Sequence, residues 1–82
     1  MSRFRVKYSD AADDALRGMT GPVRTRFEAG MSRLAADPYG CGSTPAKSPS
    51  EPDRRSAPVG AYVVVYYVSR SVLLITAVHI IG

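Results

Sequence analysis

The sequence has little of what stabilises small secreted proteins. Its 82 residues include a single cysteine, Cys41, so no disulfide can form within the chain and no cysteine-based zinc site can be assembled. This excludes a scaffold held together by disulfides. The first residues contain no apolar stretch of the kind found in signal peptides, so we expect a bacterial-type protein located in the cytoplasm.

Long hydrophobic runs are also missing. The C-terminal third is very apolar, but Ser69, Arg70 and Ser71 divide it into two runs of about ten residues. A helix needs about 20 apolar residues to span a bilayer, and both runs are rich in the β-branched and aromatic residues of strands. We therefore expect no membrane partner.

The chain is too short for more than one small domain. A domain of this size buries only about 60 % of the surface that its unfolded chain exposes, which excludes a multidomain enzyme or an enclosed cofactor cavity. Apolar residues make up 45 % and charged residues 22 % of the sequence, near the average for globular proteins. Residues 1–82 are predicted to form one domain that holds no cofactor.

Positive charge is in excess. Eleven Lys and Arg residues against seven Asp and Glu residues give a net charge of +4, and most of the cations are arginine. The guanidinium group binds phosphate through two parallel hydrogen bonds, so the composition favours a polyanionic or acidic partner over a neutral metabolite. A charge of this size also keeps a small protein soluble, so it decides nothing alone.

The N-terminal segment alternates strictly between cationic and apolar side chains over residues 3–8. This period of two predicts a strand with one buried and one solvated face. The apolar face should meet the helices, and Arg3, Arg5 and Lys7 should form a cationic stripe on the uncovered face. The stripe fits either a surface for RNA or an acidic partner, or a merely solvated sheet face.

Two helices should follow and form an antiparallel hairpin. Ser9 is a residue type that is favoured as an N-cap, here of the first helix. Aspartates follow it in the first turn, where the helix dipole favours anions. The second should begin at Pro22 and end before Pro38, with Gly30 marking a close approach to the first helix. Apolar residues recurring at spacings of four, four and three predict its buried face: Val23, Phe27, Met31 and Leu34.

The middle of the chain is rich in turn-forming residues. All but one of the six prolines lie between residues 38 and 58, among glycines and serines. We predict a mobile loop over residues 38–58, with an edge strand that begins near Arg54.

The C-terminal segment predicts a β-hairpin. Residues 61–68 are apolar on both faces, as in a central strand, and residues 72–81 return as the partner strand after a turn at residues 69–71. Helices early in the chain and strands late indicate an α+β fold, with two helices packed on one face of a small sheet.

These segments, in this order, resemble the RelE/ParE superfamily of toxins from bacterial type II toxin–antitoxin modules. The resemblance covers nearly the whole chain outside the proline-rich loop. It rests on the order and spacing of four segments, which read Phe-Arg-Val-Lys-Tyr-Ser at 4–9, Leu-Ala-Ala-Asp-Pro at 34–38, Gly-Ala-Tyr-Val-Val-Val-Tyr at 60–66 and Ser-Val-Leu-Leu-Ile-Thr-Ala-Val-His at 71–79.

The resemblance implies a β-α-α-β-β-β domain and a toxin that a cognate antitoxin silences. RelE-like members inhibit translation by binding and cleaving mRNA on the ribosome, and ParE-like members poison gyrase. The RelE-like reaction needs cations around the scissile phosphate and groups that move protons to and from the ribose and leaving oxygens, and it needs no metal.

Three residues are candidate catalytic groups under this resemblance. Arg54 and Arg55 precede the central strand, where the family concentrates cations, and His79 is the only histidine, near the end of the last strand. Histidine exchanges protons near neutral pH, which suits an acid or base. Lys47 joins the N-terminal stripe of Arg3, Arg5 and Lys7 as a predicted RNA-binding residue. The plainer alternatives are solvated loop charges and a hydrogen-bonded histidine within the sheet.

The sequence departs from the family where the acid and base are usually found. Val63 stands where the family has an arginine after the tyrosine of the central strand, and Pro58 stands where a basic residue often precedes the glycine. The chain closes on Ile80, Ile81 and Gly82, where the family commonly supplies Arg or His and a terminal Tyr. The sequence therefore leaves open whether this protein is a metal-independent endoribonuclease.

Two alternatives follow from these departures. A non-catalytic RelE/ParE-fold binder, either a gyrase inhibitor or a decayed toxin that only pairs with its antitoxin, needs none of the missing groups. A structural pairing protein would use the apolar hairpin, covered by an antitoxin segment or by a second copy in a homodimer. Three tyrosines fit either base stacking or an ordinary β core: Tyr62, Tyr66 and Tyr67.

Overall fold

The fold consists of two helices and five strands. The computed structural model describes residues 3–46 and 53–82. In chain order the elements are β1 (Arg5–Tyr8), α1 (Asp10–Arg17), α2 (Gly21–Ala36), β2 (Thr44–Pro45), β3 (Arg54–Val59), β4 (Tyr62–Ser69) and β5 (Leu74–Ile81), with a short 3₁₀ helix (Arg70–Val72) before β5.

The strands form one sheet in the order β1-β5-β4-β3-β2. Strand β5 lies between β1 and β4, parallel to β1 and antiparallel to β4. The other neighbouring strands are antiparallel, as short connections allow. The α+β fold, with two helices on one face of a small sheet, is confirmed, and the short strand β2 is added to the expected β-α-α-β-β-β order.

Helix α1 begins at the predicted N-cap. The Ser9 hydroxyl accepts a hydrogen bond from the Ala12 amide (3.1 Å) and donates one to the Val78 carbonyl (2.6 Å). The first bond satisfies an amide that the first turn leaves without a partner, and the second attaches the start of α1 to β5. One hydroxyl therefore sets both the start of the helix and its position on the sheet.

Helix α2 begins at Gly21, one residue before the predicted start. Phe27, Met31 and Leu34 are almost completely buried, as predicted, but Val23 is 37 % exposed. The prediction for Val23 is wrong because the first turn of α2 lies beside the β3–β4 turn rather than over the sheet. There Val23 lines a shallow, mostly apolar pocket of about 230 Å³ together with Ala61 and other residues.

Gly30 brings α2 close to the sheet rather than to α1. A methyl group added at this position would lie 2.7 Å from Cγ1 of Val59 on β3, well inside van der Waals contact. The prediction that Gly30 lies close to the first helix is therefore wrong, because its close neighbour is strand β3. The absence of a side chain lets α2 pack directly against β3.

The described residues of the proline-rich segment include strand β2 and strand β3 up to Pro58. Strand β3 begins at Arg54, as predicted, but β2 pairs with Ser56 and Arg55 and forms the sheet edge. Pro58 lies beyond this pairing, where its missing amide proton breaks no bond to an outer strand. Residues 47–52, which include Lys47, lie outside the described residues.

The β4–β5 hairpin is present, but β5 begins two residues later than predicted, after Leu73 in the left-handed conformation (φ 50°). The register shifts within the hairpin, because Val65 pairs with His79 while Tyr66 pairs with Ala77, which leaves Val78 as an extra residue. This bulge reverses the alternation along β5. Ile75 and Ala77 face the helices, whereas His79 is exposed on the opposite face.

The core lies between the helices and one face of the sheet. Phe4, Val6 and Tyr8 pack against it as predicted. The buried residues come from both helices and the three central strands: Ala12, Leu16, Phe27, Met31, Leu34, Ala35, Ala57, Val59, Val64, Tyr66, Val68, Ile75 and Ala77. No helix of the described residues covers the other face, which we call the open face. None of the helices in these residues has the length and apolarity to cross a membrane.

Candidate functional site

A row of four side chains crosses the open face. Lys7 pairs with Thr76, Thr76 with Tyr67, and Tyr67 with Arg54, so the four lie side by side on β1, β5, β4 and β3. We call them the cationic row. Neighbouring strands are about 4.8 Å apart, so the row extends over about 14 Å between its two cations. Arg5 lies two residues from Lys7 on the same exposed face of β1.

Arg3 does not share this surface. The Phe4 amide donates to the Ala35 carbonyl of α2 (2.9 Å), which draws the chain away from the sheet before β1 begins. Nη1 of Arg3 then donates to the Ser32 hydroxyl on α2 (3.0 Å). The predicted stripe therefore includes Arg5 and Lys7 but not Arg3, because the strand is shorter than the sequence alternation.

Arg54 is held on the open face by Tyr67. Its Nη1 donates to the tyrosine hydroxyl (2.8 Å), and its Cζ lies 5.2 Å from the ring centroid. The two contacts combine a hydrogen bond with a cation–π interaction. Among the described residues the other guanidinium N–H groups of Arg54 have no protein acceptor. The guanidinium group is thus fixed in position and still able to bind a phosphate.

Arg55 faces the opposite side of β3 and is only 9 % exposed. Its Nε donates to the Ser43 hydroxyl, its Nη2 donates to the Ser43 carbonyl (3.2 Å), and its guanidinium lies 5.0 Å from the Tyr39 ring centroid. The Tyr66 phenol donates to the Pro38 carbonyl and is also 2.6 Å from the Ser43 hydroxyl. This network joins the segment after α2 to the core. Successive strand residues alternate between faces, so Arg54 and Arg55 are not the side-by-side pair that their sequence suggests.

The phenols of this network stay protonated. Burial raises the pKa of Tyr66, although the Ser43 hydroxyl and the Arg55 charge act in the opposite direction. Burial also raises the pKa of Tyr39, and its hydrogen bond to the Asp53 carboxylate adds to the effect. Both tyrosines therefore remain neutral hydrogen-bond donors at physiological pH.

His79 shares the open face with Arg54. It is exposed and pairs with Val65, two strands and two residues away from Arg54. From the spacing of strands and residues the Cα atoms of Arg54 and His79 are about 12 Å apart. A phosphodiester lying between the two side chains could contact both. Of the three predicted catalytic residues, the structure brings Arg54 and His79 to one surface and places Arg55 on the other.

Three of the residues that depart from the pattern of the similar family also lie on the open face, whereas Ile80 packs against the core. Pro58 pairs with Val63, and Val63 pairs with Ile81, which forms a second row that we call the apolar row. All three are exposed, Val63 by 44 % and Ile81 by 56 %. The bulge at Val78 is what turns Ile81 to this side. The open face is therefore cationic at one end and apolar at the other, with His79 between the two rows.

Sequence reasoning missed the grouping of Tyr67 and Thr76 with the cations. The alternation of β4 carried a usable signal, since assigning Tyr66 to the core places Tyr67 on the other face. The position of Thr76 depends on the register with β1, which the sequence does not encode locally. Within residues 3–46 and 53–82, no cluster of three His, Cys, Asp or Glu side chains could hold a metal ion.

Comparison with known proteins identifies the fold. No family model and no curated protein sequence matches this chain. Among solved structures, the archaeal RelE–RelB complex from Pyrococcus horikoshii OT3 matches with a TM-score of 0.79 and 20 % identity, over 99 % of this chain and 96 % of that chain. The chain has the RelE fold. The RelBE2 toxin–antitoxin complex from Mycobacterium tuberculosis matches with a TM-score of 0.77 and 13 % identity, over 99 % of both chains.

The RelE fold accounts for the two-helix layer and the sheet, and it confirms the fold that the resemblance implied. Identities this low show the shared fold alone. The cationic and apolar rows must therefore be interpreted from the residues of this chain.

Proposed function

We propose that this protein is the toxin of a toxin–antitoxin module and that it inhibits translation by binding and cleaving mRNA on the ribosome. The observation that carries the proposal is the open face of a RelE-fold sheet on which Arg5, Lys7, Arg54 and His79 are gathered. Three cations and one imidazole on the same surface support the proposal, because the reaction needs cations near the phosphate and groups that move protons.

The proposed reaction is attack of a ribose 2′-oxygen on the neighbouring phosphate, with loss of the 5′-oxygen of the next nucleotide. Arg54 and Lys7 would offset the negative charge that develops on the phosphate oxygens. His79 would take the proton from the 2′-hydroxyl as the new P–O bond forms, and the 5′-oxygen would receive a proton from water as its bond to phosphorus breaks. Arg55 would act only by holding β3 in place, because its guanidinium is bound to Ser43.

Growth and mRNA integrity after induced expression test this proposal. The wild-type protein should arrest growth and cleave mRNA, and Arg54→Gln and His79→Asn should relieve both effects. Arg33→Gln is a matched control, since Arg33 is an exposed arginine on α2, in the layer opposite the open face. Unimpeded growth and intact mRNA with the wild-type protein would contradict the proposal.

A second candidate function is a non-catalytic binder of the same fold. The apolar row favours it, because Pro58, Val63 and Ile81 cannot contact a phosphate or transfer a proton. Growth arrest with intact mRNA and with inhibition of gyrase supercoiling would support a gyrase-directed binder. Cleavage of mRNA on programmed ribosomes would exclude it.

We also propose that an antitoxin covers this protein. The two solved structures compared above are both complexes, one described as a RelE–RelB complex and the other as the RelBE2 toxin–antitoxin complex. The net charge of +4 suits an acidic partner, and the exposed Val63 and Ile81 would lose contact with water beneath one. A small acidic protein encoded beside this one should form a stable complex with it and restore growth. A homodimer that forms without such a partner and that Val63→Arg disrupts would instead indicate that a second copy covers the apolar row.

A further inference from the structure

Tyr67 is an exposed aromatic residue in the cationic row, and the proposed reaction leaves it without a role. We propose that Tyr67 stacks on one base of a single-stranded RNA while Arg54 binds an adjoining phosphate. The inference rests on the proposed function, since it assigns an RNA contact to the same open face. It names a positioning site for the substrate rather than a group that takes part in bond breaking.

The structure distinguishes Tyr67 from the other two tyrosines of β4. Tyr66 is completely buried in the core and hydrogen-bonded to the Pro38 carbonyl. Tyr62 is half-buried on the helix side, where its ring meets that of Phe27 edge to face, with centroids 5.6 Å apart. Tyr67 alone among them lies on the open face, and it is 41 % exposed.

The contact with Arg54 leaves the ring of Tyr67 accessible. Nη1 of Arg54 is 2.8 Å from the tyrosine hydroxyl, whereas Cζ is 5.2 Å from the ring centroid. The guanidinium group is therefore displaced towards the hydroxyl end of the ring. A base can stack on the ring while the free N–H groups of Arg54 reach a phosphate of the same strand.

The surroundings of Tyr67 favour a nucleic acid over an isolated anion. Lys7 lies two strands away in the same row, and Thr76 separates it from Tyr67. A cation on each side of an exposed ring matches a chain in which bases and phosphates alternate. Bases of any identity have a face that stacks, so this contact predicts affinity for single strands with little sequence preference.

Binding of a non-cleavable RNA tests the inference. The probe is a fluorescein-labelled 2′-O-methyl RNA octamer without self-complementarity, followed by fluorescence anisotropy at several salt concentrations. Tyr67→Leu should weaken binding about 5- to 150-fold, the range expected for one stacked base. The slope of log K against log salt should fall by much less than the loss of one phosphate contact would cause, because Arg54 keeps its charge although it loses its contacts with Tyr67. Tyr67→Phe should bind within about threefold of wild type, because it retains the ring.

Matched variants separate stacking from charge and from damage to the fold. Arg54→Gln should weaken binding and reduce the salt slope by about 0.7, the value for one phosphate contact with a single strand. Tyr39→Leu makes the same chemical change at a tyrosine that is 37 % exposed and contacts Arg55 on the other side of β3. It should bind RNA like the wild type. Melting temperatures of all variants report on folding.

An octamer of the same backbone without bases gives a readout that needs no variant. The wild-type protein should bind the octamer without bases more weakly than the normal octamer, by the same factor by which Tyr67→Leu weakens binding of the normal octamer. The wild-type protein and Tyr67→Leu should bind the octamer without bases equally. The inference is overturned if Tyr67→Leu binds the normal octamer within twofold of the wild type. It is also overturned if the wild type binds the two octamers equally. Neither result changes the growth-arrest test, which judges the proposed function separately.

Discussion

The two faces of the sheet contain similar residues that do different things. On β4, Val64, Tyr66 and Val68 face the helices and are at most 5 % exposed, whereas Val63 and Tyr67 on the open face are more than 40 % exposed. Arg55 and Arg54 divide in the same way on β3. Residue type alone therefore does not separate structural positions from functional ones in this protein. The two kinds of position are separated by the sheet face on which a residue lies. Neighbouring residues of the same type on opposite faces can therefore be substituted as matched pairs.

The largest contrast is expected between the two adjacent tyrosines. Tyr66→Ala should lower the free energy of unfolding by about 3–5 kcal/mol, as for other large buried aromatic residues, and it also leaves the Pro38 carbonyl without its donor. Tyr67→Ala should lower it by about 1 kcal/mol at most, because the ring is half-exposed. Urea denaturation measures both. Equal losses would show that the open face is not a separate surface.

Substitution of the two arginines should also lower the free energy of unfolding by different amounts, although the difference should be smaller than for the two tyrosines. Arg55→Gln should lower the free energy of unfolding by about 1–3 kcal/mol, because it breaks charge-assisted bonds to Ser43 inside the fold. Arg54→Gln should change it by about 0.5 kcal/mol or less but should weaken RNA binding. Thermal unfolding and anisotropy, measured on the same preparations, give the comparison. A reversal, with Arg54 the more stabilising residue, would contradict the assignment of faces.

A substitution in the apolar row tests whether RNA reaches the apolar end of the open face as well as its cationic end. Val63→Arg places a cation on an exposed position of the apolar row, and it should add one phosphate contact. The salt slope of RNA binding should then increase by about 0.7. Val64→Arg, one residue away, would bury the charge and should unfold the protein. An unchanged slope in the folded Val63→Arg variant would mean that RNA does not reach this end of the face.

The smallest expected effect is a dependence of stability on alkaline pH. Burial raises the pKa of Tyr66 above its ordinary value of 10.0, so the unfolded chain loses this proton at a lower pH than the folded protein does. Stability contributed by the neutral phenol is therefore complete below pH 10 and is lost as the pH rises from 10 towards the folded pKa. Tyr66→Phe should show a smaller loss of stability between pH 9 and 11. A slope identical to that of the wild type would contradict this.

Local patterns predicted much of the fold. The Ser9 cap, the buried Phe27, Met31 and Leu34 and the β4–β5 hairpin could all be identified, because each depends on residues close in sequence. Val23 and Gly30 were misplaced because their surroundings come from the β3–β4 turn and from Val59, which are distant along the chain. Proximity in sequence also groups Arg55 with Arg54, whereas successive residues of a strand face opposite sides of the sheet.

The sequence by itself determined which residues could be helical, which could be extended and which of them share a strand face, since these properties follow from spacings of 3.6 and 2 residues. Tertiary structure decided which face of the two-sided apolar strand β4 the helices cover, the insertion of β5 between β1 and β4, and the bulge that turns His79 and Ile81 to the open side. Those outcomes depend on packing between segments up to about 70 residues apart, such as the bond from Ser9 to Val78. No local pattern in β4 contains that information, because this strand is apolar on both faces.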